Sequence, residues 1–226
     1  MVVLDDYLDQ DVFLSIPASI EAASFPWERS MILKGPPAHI QPSDNLQSIH
    51  GFYLRNARAR YVSPHFEVIK PIIEKLNPAH LIKAKVNLTT RKDHHIEYGL
   101  HVDTKRVGAT TAIFYLNTNN GYTLFDGDSK VFSVANRMVI FDSARLHTGA
   151  SCTDADHRLV LNINMIMDAG AEQGYEERPQ TPAAFSLAVN AIPDHHRVYP
   201  GIKEELHGVF RKSGNWFARK IQAGIG

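Results

Sequence analysis

Between residues 82 and 167 the chain repeats one texture: short runs rich in β-branched and aromatic residues, parted by Gly, Asn and Asp. The runs are IKAKVNLTT, IEYGLHV, ATTAIFYLN, GYTLFDG, KVFSV, RMVIFDS, HTGASC and RLVLNINMIM. Eight short strands at this spacing predict a sandwich or barrel. The last run alternates strictly. Arg158, Val160, Asn162 and Asn164 fall on one face and Leu159, Leu161, Ile163 and Met165 on the other, so one side is built for a core and the other for something polar.

The flanks read differently. Residues 1–80 predict helical pieces that support the β core. YLDQDVFLSIPASIEAA is broken by Pro17, and SPHFEVIKPIIEKLNP carries Phe66, Ile69, Ile72, Ile73 and Leu76 along one helical face, with Ser63 as its cap and Pro64 in its first turn. KGPPAHIQPSDN between them is Pro-rich and polar, which predicts a loop, and its place before the core suggests a mobile wall over the barrel mouth. Residues 169–226 predict a polar extension with Pro179, Pro182, Pro193 and Pro200, ending in an amphipathic helix within GIKEELHGVFRKSGNWFARKIQ. A chain of 226 residues buries one sizeable core, so a single domain spanning 1–226 is expected.

Charge changes the picture only by exclusion. With 24 basic and 24 acidic residues, no global field favours nucleic acid or an anionic membrane over a peptide or small-molecule partner. Cys152 is the one cysteine, so no internal disulfide forms, any metal must be held without a thiolate cluster, and Cys152 is expected to pack as a small hydrophobe. The first twenty residues lack a basic start, and no 18-residue apolar run follows, which predicts a cytoplasmic protein.

Candidate chemistry centres on YGLHVDTKR, where His101 and Asp103 stand one residue apart. Alone the pair is weak: 12 His and 14 Asp in 226 residues give roughly 0.7 such pairs by chance. His147, at the start of a later run, supplies a further candidate ligand. Two imidazoles and a carboxylate on one face of an ion leave its other positions open, as in non-haem Fe(II) oxygenases. Arg158, on the polar face of the last run, demands an anion, and the far carboxylate of 2-oxoglutarate suits a planar guanidinium. An ion pair with Asp142 or Asp156 is the plainer alternative for Arg158. Asn162 and Asn164 either face the substrate or hold buried water. His95 with Glu97 in RKDHHIEY, and His195 with His196 in PDHHRVYP, read as solvated loop residues.

In this order and spacing, HVDTKRVGATTAIFYLN, NNGYTLF, NRMVIFDSARLHTG and HRLVLNINM resemble the Fe(II)/2-oxoglutarate-dependent oxygenases, and closely the prolyl 4-hydroxylase-like branch of short bacterial and phage proteins. The match covers roughly residues 82–167, with looser similarity in the opening helices and SFPWE. The resemblance implies a mainly β fold with flanking helices around a double-stranded β-helix, a jelly-roll of the cupin kind. It makes His101, Asp103 and His147 the iron ligands and Arg158 the co-substrate anchor. Tyr115 matches a position whose hydroxyl helps hold the same carboxylate, although a plain barrel aromatic is the alternative. Asn87 and Thr89, the latter where a tyrosine is often found, are further candidates on the co-substrate side. Where collagen-type prolyl hydroxylases anchor with lysine, this chain has arginine.

The implied cofactors are Fe(II), 2-oxoglutarate and O2, with ascorbate as an accessory reductant. The implied reaction is C–H hydroxylation with release of succinate and CO2. Asp103 itself matters, because a small residue replaces it in related halogenases. The substrate implied first is a prolyl residue in a peptide or protein, then a free amino acid or another small molecule. An AlkB-like nucleic-acid demethylase and a non-catalytic barrel used as a binding module are the rival readings.

Overall fold

The computed structural model describes residues 1–56, 60–104 and 106–168. The C-terminal extension, with its expected tail helix and His195 and His196, lies outside the described residues. The β core centres on the longest alternating strand, β11 (His157–Ile166), whose Leu159, Leu161, Ile163 and Met165 are all fully buried. Each such side chain contributes about 1.5–3 kcal/mol of transfer free energy, which fixes the face and hence the register.

Strand β11 pairs antiparallel with β5 (His80–Thr90) on one side and β6 (Ala109–Tyr115) on the other. Beyond β6 lie β9 (Arg137–Asp142) and the edge strand β1 (Val2–Leu4). Beyond β5 lie β3 (Leu46–Arg55) and β2 (Glu28–Met31), with β4 (Arg60–Val62) also on β3. A smaller sheet contains β8 (Lys130–Phe132), β7 (Tyr122–Phe125) and β10 (His147–Gly149). The small sheet closes over the inner face of the large one through Phe125, Val131, Ile113, Tyr115, Val139, Phe141 and Val160. This is the mainly β double-stranded β-helix class expected from the strand texture.

The outer face of the large sheet is covered by α1 (Gln10–Ile20) and by a 3-10 turn (Phe66–Ile69) that runs into α2 (Lys70–Leu76). Three expectations for residues 1–80 need correction. First, strands β1 to β4 occupy much of a region read as helical. Strand β1 is exposed on every residue and forms by backbone pairing to β9, and β3 carries a register shift between Gly51 and Tyr53 that interrupts its alternation. Second, α1 runs through Pro17. The lost hydrogen bond and ring clash cost about 3 kcal/mol. Burial of Phe13, Ile16 and Ile20 on one stripe, at about 2 kcal/mol each, outweighs it. Third, α2 begins at Lys70 with Pro71 in its first turn, while Ser63 Oγ accepts from the His65 N–H ahead of the 3-10 segment and does not cap α2.

Segment 34–45 has no regular secondary structure, as expected, but it is packed down: Ile40 is buried with Ile96 and Tyr98, and Asp44 pairs with Lys92 at 2.9 Å. No helix among the described residues is long and apolar enough to cross a membrane.

Candidate active site

The expected strand IEYGLHV is reduced to two isolated bridges, Glu97 to Ala150 and His101 to His147. The second bridge builds the site. His101 N–H donates to the His147 carbonyl at 2.9 Å and His147 N–H donates to the His101 carbonyl at 3.0 Å. A reciprocally bonded antiparallel pair puts both side chains on one face, and the imidazole centroids stand 4.9 Å apart. Asp103, two residues on, turns its carboxylate back between them. Asp103 Oδ2 lies 3.4 Å from His147 Nε2 and Oδ1 lies 3.8 Å from His101 Nε2. The three candidate ligand atoms fall within 4.8 Å of one another. Neighbouring ligands at about 2.1 Å from one ion stand about 3 Å apart, so the two imidazole–carboxylate separations need to close by under an ångström and the widest pair by at most about 1.8 Å.

Both rings are held in the tautomer that a metal needs. His147 Nδ1 donates to the Arg145 carbonyl at 3.0 Å and His101 Nδ1 donates to the Gly99 carbonyl at 3.2 Å, which leaves Nε2 of each ring, the nitrogen a metal takes once it is unprotonated, facing Asp103. Asp103 is held in turn by Asn162 Nδ2 at 2.7 Å, and more distantly by Asn164 Nδ2 at 3.5 Å, which also donates to Thr111 Oγ1 at 3.0 Å. The two asparagines therefore orient the carboxylate. Burial raises the Asp103 pKa, but the hydrogen bond and charge of His147, with Lys83 and His101, overcome it and hold the carboxyl well below its ordinary value. Burial works against charge on His147 too, yet Asp103 holds its pKa above the usual imidazole value. His101 is pushed down, chiefly by burial.

The triad faces a cavity of about 120 Å³, room for on the order of ten water-sized groups. Arg158 lies at the other end of it, four residues before Asn162 and so roughly 13 Å along β11. It is 6% exposed, donates through Nε to Ser133 Oγ at 2.9 Å and through Nη2 to Thr123 Oγ1 at 3.2 Å, and has no acidic partner among the described residues. The ion pair with Asp142 or Asp156 is not formed. The backbone makes room for the guanidinium: a Cβ on Gly149 would stand 3.3 Å from Nη1, and one on Gly121 would stand 2.7 Å from Cδ.

Asn87 and Thr89 line the cavity from β5, in register with Val160 and Arg158, and Asn87 Oδ1 is buried without a partner. Tyr115 is placed differently from the expected carboxylate contact. It is fully buried behind the cavity wall, its hydroxyl donating to Thr123 Oγ1 at 2.8 Å with the Val131 carbonyl at 3.2 Å, and its ring lies 5.6 Å from the Arg158 guanidinium carbon. Thr123 lines the cavity in its stead. Tyr98 has the phenol that does line it, buried and unpartnered, with a pKa pushed up to about 12 mainly by burial. Sequence reasoning passed over Tyr98, although its place three residues before His101 in an apolar run was a usable signal. His95 and Glu97 stay outside, His95 Nδ1 donating to the Ser151 carbonyl and Glu97 accepting from the Tyr122 hydroxyl. Cys152 is fully buried, with its thiol 3.5 Å from the Ala155 carbonyl.

No protein-family model and no curated protein sequence matches the chain. Solved structures do match it in fold. A 2OG-Fe(II) oxygenase family oxidoreductase from Burkholderia pseudomallei aligns at 14% identity over 79% of this chain and 88% of its own, with a TM-score of 0.53. A prolyl hydroxylase from Trichoplax adhaerens, in complex with a hypoxia inducible factor peptide fragment, aligns at 11% identity over 77% and 87%, with a TM-score of 0.54. The non-heme alpha ketoglutarate dependent epimerase SnoN from nogalamycin biosynthesis aligns at 14% identity over 81% and 91%, with a TM-score of 0.52. These likenesses establish the fold of the 2-oxoglutarate oxygenases.

Proposed function

We propose that the chain is an Fe(II)- and 2-oxoglutarate-dependent dioxygenase that hydroxylates a C–H bond and releases succinate and CO2. One observation carries the reading: a single cavity joins an open His101, Asp103 and His147 face to a buried arginine that lacks an anion. The donor set, two neutral imidazole nitrogens and one carboxylate oxygen, fits Fe(II). The unpaired Arg158 and the orphaned Tyr98 hydroxyl fit the far carboxylate of a small dicarboxylic acid. Bound iron, with 2-oxoglutarate and O2, supplies the oxidative chemistry.

The chain's own groups do the rest. Arg158 grips one end of the co-substrate, with Tyr98 as a second, neutral donor and Thr89 and Asn87 along its flank. Ile113 and Val160 keep that wall apolar, which excludes water and strengthens each charged contact. Asn162 fixes the carboxylate ligand, and the carbonyls of Arg145 and Gly99 fix the imidazoles. His101, at 29% side-chain exposure against 3% for His147, marks the side from which substrate approaches.

A prolyl residue of a peptide or protein is the finer reading, supported by the motif resemblance and by the peptide in the Trichoplax neighbour. Among the described residues, Tyr98 is the one aromatic besides the two histidines that lines the cavity, and no pair of rings there is set to sandwich a flipped base, which weighs against nucleic acid as substrate. A cytoplasmic setting belongs to the same reading, supported by the single, buried cysteine. The test is conversion of 2-oxoglutarate to succinate with Fe(II) and O2, each omitted in turn, followed by mass spectrometry of proline-containing peptides and free amino acids for the gain of one oxygen atom. No succinate above the iron-free background would refute the oxygenase and leave a binding barrel.

A further inference from the structure

Strand β5 carries Lys83, Lys85, Asn87 and Thr89 on its cavity face, while Ala84, Val86 and Leu88 turn to the core side. Its register with β11 orders them: Thr89 opposite Arg158, Asn87 opposite Val160, Lys85 opposite Asn162 and Lys83 opposite Asn164. Because Asn162 holds Asp103, Lys85 stands level with the metal ligands and Lys83 one step further out. Both are roughly 13 Å or more along the sheet from the Arg158 row. Neither ammonium makes a side-chain hydrogen bond or a close ion pair among the described residues, although the charge of Asp103 is felt by both, and both are half-buried. Asp103, the one acidic residue lining the cavity among the described residues, has an oxygen committed to Asn162 and is a metal ligand in the proposed reading.

Three cations, Lys83, Lys85 and Arg158, thus face one carboxylate, a local excess of two positive charges (3 − 1) in a chain of zero net charge. A ferrous dication and a 2-oxoglutarate dianion cancel each other and leave that excess unchanged. Arg158 answers the co-substrate at one end, and at the other two lysines share the single, already committed carboxylate of Asp103. Cations in excess of anions in a partly desolvated wall are unfavourable, so their placement is best explained by a ligand that brings the missing charge.

We propose that Lys83 and Lys85 form an anion subsite on the metal side of the cavity, and that the substrate carries a carboxylate which they bind. This rests on the oxygenase reading and, within it, favours the alternative substrate over the peptidyl one: a free amino acid or other small carboxylic acid fits the lysines, whereas a neutral internal prolyl residue leaves them unanswered. The Lys85 pKa, pushed down to about 8 by burial first and Lys83 second, still leaves it mostly cationic at neutral pH.

The test loads the protein with Zn(II), which is redox-inert, and saturating 2-oxoglutarate. Matched pairs are then titrated by calorimetry, each acid against its neutral amide: L-proline and L-prolinamide, benzoate and benzamide, glutarate and glutaramide. At least one acid is expected to bind about tenfold or more tightly than its amide, the scale of one charge-assisted contact. Lys83→Met and Lys85→Met should each reduce that preference, with 2-oxoglutarate affinity within about threefold of wild type. Acids that bind no better than their amides in every pair, or a preference that both variants retain, overturn the proposal. A large loss of 2-oxoglutarate affinity in the lysine variants also overturns it, by assigning the lysines to the co-substrate. If Zn(II) or 2-oxoglutarate fails to bind wild type while acid selectivity and its lysine dependence persist, the oxygenase reading falls and the anion subsite stands.

Discussion

Replacing Arg158 by Met keeps the length of the side chain and removes its charge, and the structure predicts opposite effects with and without 2-oxoglutarate. Without it, the guanidinium is a buried charge with only neutral partners, Ser133 and Thr123, and the Tyr115 ring beside it. Exchange of a buried ionic group for a well-packed apolar one is typically neutral or stabilising by about 1–4 kcal/mol. The metal-loaded variant should therefore melt no lower than wild type. With 2-oxoglutarate, wild type at about 100 times its Kd gains about 2.7 kcal/mol, a rise of about 5–11 °C for a chain of this size. The variant should lose about 2–5 kcal/mol of that interaction, or roughly 30- to 4000-fold in affinity, so its rise should shrink to about 3 °C or less at the same concentration. Thermal melts of Zn(II)-loaded protein across a 2-oxoglutarate titration measure both. A loss of affinity below about threefold would refute the assignment of Arg158 as the anchor.

Gly149→Ala, whose new Cβ would crowd Nη1 of Arg158 from within the cavity, should weaken 2-oxoglutarate about tenfold and leave Zn(II) affinity unchanged, measured by calorimetry. Asn162→Ala frees the Asp103 carboxylate from its 2.7 Å donor and should lower metal affinity about 10- to 100-fold in a competition titration, with little change in fold by circular dichroism. Metal must displace a proton from His147, whose pKa is raised, so Zn(II) affinity should climb about tenfold per pH unit below that pKa and flatten above it. In the metal-free protein the sign reverses. The raised His147 pKa contributes stability that is full below about 6.5 and fades as pH rises through the folded value, while the lowered Asp103 pKa contributes stability present above about 3.8 and lost as pH falls through its folded value. Chemical melts from pH 4 to 8 should therefore show the apo protein losing stability on the alkaline side as metal affinity grows.

The parts of the site that were legible are those set by strand periodicity. Alternation on β11 assigned Arg158 and the asparagines to one face and four core residues to the other, and the structure follows that division, with Arg158, Val160 and Asn162 lining the cavity and Leu159, Leu161, Ile163 and Met165 in the main core. The same rule applied to β5 would have exposed Lys83 and Lys85, which break an otherwise apolar run at every second place. Other features depend on partners that local pattern does not encode. Tyr115 is diverted by Thr123 and Val131, groups brought to it by β7 and β8. Strands β1 and β3 form on edges that β9 and β5 offer, and β2 and β4 then pair with β3, partners that the local sequence pattern does not encode. Pro17 survives inside a helix because tertiary burial of Phe13, Ile16 and Ile20 exceeds its local cost.

The central claim is that His101, Asp103 and His147 together hold one Fe(II), and its most direct test is anaerobic equilibrium binding of Fe(II) to wild type and to His101→Ala, Asp103→Ala and His147→Ala, each beside a thermal melt. One ion per wild-type chain, lost or weakened at least about 100-fold in every variant whose cooperative melt is kept, is the predicted result. Stoichiometric, undiminished Fe(II) binding in any two of the three folded variants would contradict it.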